Sequence, residues 1–183
     1  MAAGSKGDRT MSELYLLRHA KAAPQAEGGP DRDRPLEQRG RRAAQAVAGW
    51  IAEHRIAPEL VLCSPSLRTR QTLDIVALAF ARPPEILIQD ELYLASAGQL
   101  LTRLRKVPSQ TAGVMMVGHN PGFYELAVLL SEVRSGALLA RLGSFPTGAL
   151  AQYEISVSWS RLDRRGARLI AAALPKELVR GED

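Results

Sequence analysis

The chain is poor in the residues that build metal knuckles and disulfide frameworks. Its 183 residues include one cysteine, Cys63, and three histidines, His19, His54 and His119. A single cysteine excludes an internal disulfide and any CxxC metal site, and it fits a reducing compartment. Aromatic residues make up only 5% of the chain. Lys and Arg outnumber Asp and Glu by 24 to 19, yet the cations are scattered and form no long run. Nucleic-acid binding calls for a basic stripe interleaved with stacking aromatics, so that class is disfavoured, whereas a compact anionic ligand is not. No stretch approaches the ~18 apolar residues of a spanning helix, and the leader MAAGSKGDRT lacks the apolar core of a secretory signal. A cytoplasmic protein with no membrane association is expected. Residues 1–12 read as a flexible tail and 13–183 as a single domain, because 46% apolar content at this length supports one core rather than two.

Leu14-Tyr15-Leu16-Leu17-Arg18-His19-Ala20 is a short apolar run ending in a fixed cation and an imidazole. Such a run reads as a buried strand, which puts Arg18 and His19 at its carboxyl end, where open α/β sheets bind ligands. The pattern recurs at Leu60-Val61-Leu62-Cys63, followed by Ser64-Pro65-Ser66-Leu67-Arg68. Ser64 suits an N-cap and Pro65 the first position of a helix to about Phe80, with Arg68 facing the crevice and Arg70 turned well away from it. It recurs again at Val114-Met115-Met116-Val117, which runs into Gly118-His119-Asn120-Pro121. There Asn120 can cap and Pro121 open a helix to about Leu130, turning free backbone N–H groups toward whatever His119 faces.

Between these junctions, residues 21–35 lack either period and form a loop over the strand ends, while 37–54 follow helical spacing with His54 in the last turn. Residues 86–88 read as a short strand and 98–106 as a helix after the mixed segment Asp90-Glu91-Leu92-Tyr93-Leu94. Residues 136–146 read as an irregular connection. Strands at 148–157 and 168–174, joined through Asp163-Arg164-Arg165-Gly166, suggest an antiparallel pair at one edge. The order implies an α/β three-layer sandwich, a mainly parallel central sheet with helices on both faces.

Three strand-to-helix junctions thus bring Arg18, His19, Arg68 and His119 to one crevice. Two arginines can hold phosphoryl oxygens by charge-assisted bonds, and a neutral imidazole in line with phosphorus can attack. The arginines favour neutrality by pushing down an imidazole pKa of about 6.5, and the second histidine can stay protonated once a dianion is bound. A cysteine-dependent phosphatase loop is the competing idea. Its pattern has five residues between Cys and Arg, whereas four separate Cys63 from Arg68 and six separate it from Arg70, so Cys63 reads as a packed apolar residue.

These residues resemble the histidine phosphatase superfamily. Its opening Arg-His-Gly is here Arg18-His19-Ala20, its second arginine matches Arg68 in SPSLRTRQT, and its second histidine matches His119 in VGHNPG. The RHAKA opening, the Arg34-Pro35-Leu36 element and the short length are similar to SixA-type phosphohistidine phosphatases. The resemblance implies a phosphoglycerate mutase-like fold and His19 as the nucleophile of a covalent phosphohistidine intermediate. Arg18, Arg68 and His119 would complete the phosphate pocket, with Asn120 as a further substrate contact and no metal or other cofactor. The glutamate used by larger relatives would fall near Leu94, with Asp90 and Glu91 close but out of step. A phosphoramidate has a readily protonated leaving group and can dispense with that acid. The implied substrate is a phosphohistidine-bearing protein such as a phosphotransfer domain, with inorganic phosphate as product. The alternatives are a broad phosphomonoesterase, which would need Asp90 or Glu91 to swing in, and a non-catalytic phosphate-binding module.

Overall fold

The apolar runs pair with one another because both of their faces must be covered. In the computed structural model, which describes residues 11–179, six strands form one sheet. They are β1 (Ser12–Arg18), β2 (Leu60–Cys63), β3 (Glu85–Ile88), β4 (Gly113–Gly118), β5 (Leu150–Ile155) and β6 (Ala167–Ala173), in the order β3-β2-β4-β1-β5-β6. The first four run parallel, and β5 is antiparallel to both β1 and β6. The expected antiparallel pair at one edge is therefore present.

Strand side chains alternate between two cores. Leu14, Leu16, Val114 and Met116 face one side, where α3 (Ala97–Leu104), α4 (Gly122–Leu130) and α5 (Gly136–Leu142) supply Leu100, Leu104, Phe123, Leu126 and Leu142. Tyr15, Leu17, Met115 and Val117 face the other, where α1 (Gln38–Glu53) and α2 (Leu67–Ala77) supply Val47, Ile51, Leu73 and Val76. A four-residue helix, α6 (Pro175–Leu178), packs Leu178 against that second core. This is the three-layer α/β sandwich with a mainly parallel sheet. Among the described residues no helix is long and apolar enough to cross a membrane.

Several local expectations change. Most of the expected tail, residues 1–10, lies outside the described residues, but Ser12 already begins β1. The helix after β2 starts at Leu67 with Ser66 as its cap, and not at Pro65 with Ser64. Ser64 is kept in the sheet by its N–H, which donates to Val117 O at 2.9 Å, so capping passes to the next serine. Likewise α4 begins at Gly122 after a cis Asn120-Pro121 peptide. Residues 136–142, read as irregular, form α5, because Leu138, Leu139 and Leu142 at helical spacing pack on the first core. Gly143 ends it at φ +56°, a conformation that favours glycine.

Candidate active site

Strand register places the key residues side by side. Arg18 pairs with Gly118 across β1 and β4, and Cys63 with Val117 across β2 and β4. The chain therefore leaves three neighbouring strands at His19, Ser64 and His119, and His19 N–H still donates to Gly118 O at 3.1 Å. Arg68 lies in the first turn of α2 and is 3% exposed. Together with Arg18, Asp31 and Arg34, these histidines and Arg68 line an open cavity of about 360 Å³. Two further bonds hold α2 in place. Ala20 N–H donates to Thr72 Oγ1 at 3.0 Å, and Leu36 N–H to Gln71 Oε1 at 2.8 Å. Ala20, where the family pattern has glycine, is fully buried against Leu36 and Ala44.

The hydrogen bonds set the two imidazoles apart. His19 Nδ1 lies 2.8 Å from Ala20 O. A carbonyl can only accept, so Nδ1 carries the proton and Nε2 keeps its lone pair. His119 Nε2 lies 2.7 Å from the hydroxyl of fully buried Ser64. That hydroxyl has no other acceptor among the described residues, so it donates to Nε2 and places the His119 proton on Nδ1. His119 Nδ1 is itself buried with no partner. The ring centres are 5.2 Å apart.

Both rings are neutral. Burial, followed by the charges of Arg68, Arg18 and Arg34, pushes His19 down to about 4 against the upward pull of Ala20 O. Burial, followed by the neighbouring His19 and then Arg68, pushes His119 down to about 3. Neutrality of the nucleophile candidate was expected from the arginines; desolvation is the larger cause. The expected protonation of His119 needs a bound dianion to offset these effects.

The cations are organised by an acid that the sequence did not single out. Arg68 donates from Nη1 to Asp31 O at 2.6 Å and from Nη2 to Asp31 Oδ2 at 2.8 Å. Tyr93 OH donates to the same Oδ2 at 2.6 Å, and Arg34 Nη1 to Oδ1 at 2.9 Å. Tyr93, then Arg34 and Arg68, hold the Asp31 carboxyl well below the usual carboxylate range, so it stays an anion. Arg18 donates from Nη1 to Phe145 O at 2.8 Å, and its buried Nε has no partner.

The structure thus gathers Arg18, His19, Arg68 and His119 in one pocket. Asn120 lines it as well, but its amide donates to Ser144 O and Phe145 O, and its Oδ1 accepts from Tyr124 N–H. The free amides expected at the start of α4 are also engaged, Phe123 N–H by His119 O and Tyr124 N–H by Asn120. Those two amides are therefore not free to meet a ligand. Leu94 lines the pocket with an apolar side chain, whereas exposed Asp90 pairs with Arg32, and Glu91 lines a separate depression beside Ser96 and Gln99. Cys63 is fully buried, and burial pushes its thiol up to about 12. His54 stacks on Trp50 at the end of α1, outside the pocket.

Ser64, Asp31 and Tyr93 were missed, and Arg34 was noted only as part of a family pattern. Ser64 could have been found as a hydroxyl that follows its strand directly, as His19 and His119 follow theirs. Asp31 and Tyr93 carried no local signal.

Residues 14–120 match the model of the histidine phosphatase superfamily, branch 1. The chain belongs to the histidine phosphatase superfamily. Within that superfamily it is of the SixA type. A structure from Nakamurella multipartita, described as a candidate phosphohistidine phosphatase SixA, superposes at TM-score 0.78 with 31% identity, covering 90% of this chain and 96% of that one. Another from Agrobacterium tumefaciens, described in the same way, gives 0.74 and 35%, covering 90% and 98%. An uncharacterized protein of Mycobacterium tuberculosis is 32% identical over 87% of this chain and its own whole length. This member of the superfamily is a phosphatase, and its fold is phosphoglycerate mutase-like.

Proposed function

We propose that this phosphatase hydrolyses protein phosphohistidine through a covalent intermediate on His19. The observation that carries the reading is the meeting of Arg18, Arg68 and His119 in one open pocket with His19, whose Nδ1 is held by Ala20 O so that Nε2 keeps its lone pair.

His19 Nε2 attacks phosphorus as the P–N bond to the substrate imidazole breaks. Arg18, Arg68 and His119 hold the equatorial oxygens, where charge gathers in the transition state. Water then attacks the phosphorylated His19. The substrate imidazole, protonated on its other ring nitrogen, departs neutral in the first step; in the second, the oxygen and both protons of water leave as dihydrogen phosphate, regenerating neutral His19. Asp31 stays ionised and so donates no proton; it orients Arg68. With Asp90 and Glu91 outside the pocket and Leu94 inside it, no protonated carboxyl among the described residues is placed to protonate an alkoxide. That favours a phosphoramidate over a phosphomonoester. Incubation with a histidine-phosphorylated phosphotransfer domain, followed by acid-free mass spectrometry, should trap phosphate on His19. Full turnover by His19→Ala would overturn the mechanism.

A further inference from the structure

A second concave surface opens out of the candidate active site. Lys21 and Thr147 line both the phosphate pocket and a neighbouring cavity of about 540 Å³, whose floor includes Ala43, Pro146, Leu174 and Pro175. Past Arg39 and Ala43 the surface continues into a depression of about 580 Å³ that reaches Val179. The floor is apolar and the rim basic. Arg39 is paired with Glu37, and Arg141 with Glu177. Lys21, Arg42 and Lys176 have no acidic partner among the described residues. No step of the phosphoryl chemistry uses this groove, and a small leaving group would not reach along it to Val179.

We infer that the groove docks the polypeptide that bears the phosphohistidine, taking an amphipathic segment with an apolar stripe and acidic flanks. The inference rests on the reading of the chain as a protein-phosphohistidine phosphatase. Apolar side chains of the segment bury against Ala43, Leu174 and Pro175, as a helix does in a hydrophobic groove. Acidic flanks meet Arg42 and Lys176, which steers encounter and fixes register. Lys21 stands at the junction, so a segment seated in the groove lies next to the phosphate site. The groove thereby favours phosphohistidine on an acidic protein over the same group on a free amino acid.

The test compares two probes, an acidic phosphotransfer domain phosphorylated on histidine and free phosphohistidine, using the wild type and the pair Arg42→Glu with Lys176→Glu. Both residues are exposed and outside the phosphate pocket. The expected result is a rise in KM of about tenfold on the phosphorylated domain, with kcat at saturation and hydrolysis of free phosphohistidine unchanged within about twofold. Raising salt should raise KM more steeply on the domain than on free phosphohistidine, and the difference should shrink in the variant. Equal KM for variant and wild type on the domain overturns the docking inference and leaves the phosphohistidine reading standing. A parallel loss on both probes also overturns it, because the rim would then serve the chemistry or the fold. Wild type inactive on both probes but active on a phosphomonoester overturns the functional reading and the inference together.

Discussion

Ser64 Oγ donates to His119 Nε2 across 2.7 Å, inside a fully buried contact between the ends of β2 and β4. The bond decides which imidazole nitrogen carries the proton.

Replacing Ser64 by Ala removes that donor and frees the tautomer. A fall in kcat of about tenfold is expected, the cost of a lost hydrogen bond to a buried group. Ser64→Thr, which keeps a hydroxyl, should restore much of the rate. Nitrogen NMR of labelled His119 separates this from a packing defect: the Nδ1–H form should dominate in wild type and in the threonine variant and lose its dominance in the alanine variant.

Arg68 and Asp31 make opposite predictions for anion binding. Arg68→Ala should weaken inhibition by phosphate or vanadate by about tenfold or more, since a buried charge-assisted donor is lost. Asp31→Asn removes a negative charge from the same pocket and keeps much of the hydrogen bonding, so inhibition should tighten. Inhibition constants measured side by side check both. Unchanged inhibition in Arg68→Ala would remove Arg68 from the phosphate site.

The histidine shifts set the acid limb of the pH profile. His19 must be neutral to attack, and its pKa is pushed down to about 4. In the free enzyme, kcat/KM should therefore stay level on this account from neutrality down past pH 6 and fall as pH approaches 4. Stability follows the same sign. Between the ordinary histidine pKa of about 6.5 and the folded values of about 4 and about 3, the unfolded chain binds more protons at His19 and His119 than the folded one. Acidification through that window should lower the midpoint of denaturation, and His119→Asn should lessen the dependence.

Asp90→Asn and Glu91→Gln should leave rates on phosphohistidine and on a generic phosphomonoester unchanged within about twofold, as expected of surface substitutions remote from the reacting atoms. Loss of phosphomonoester hydrolysis alone in either variant would revive the rival reading of a phosphomonoesterase with a mobile acid.

Local patterning was enough to determine where the strands lie and which residues stand at their ends. Runs such as Leu14–Leu17 and Val114–Val117 are buried on both faces, so they have nowhere to go but the middle of a parallel sheet. Arg18, His19 and His119 follow by adjacency, and Arg68 follows from helix geometry. Tertiary structure decided the rest, because it depends on contacts between distant segments. Nothing near Asp31 says that its carboxylate will meet Arg68, 37 positions later, and Tyr93, 62 positions later. The preference of Ser64 for a helix cap was overridden by its place in the sheet and its bond to His119. The same packing engaged Phe123 N–H and Tyr124 N–H within the turn. Sequence alone thus determined that Arg18, His19 and His119 stand at strand ends and that Arg68 lies in the helix after β2; the fold decided their proton positions, their acidic counterpart and the basic-rimmed groove beside them.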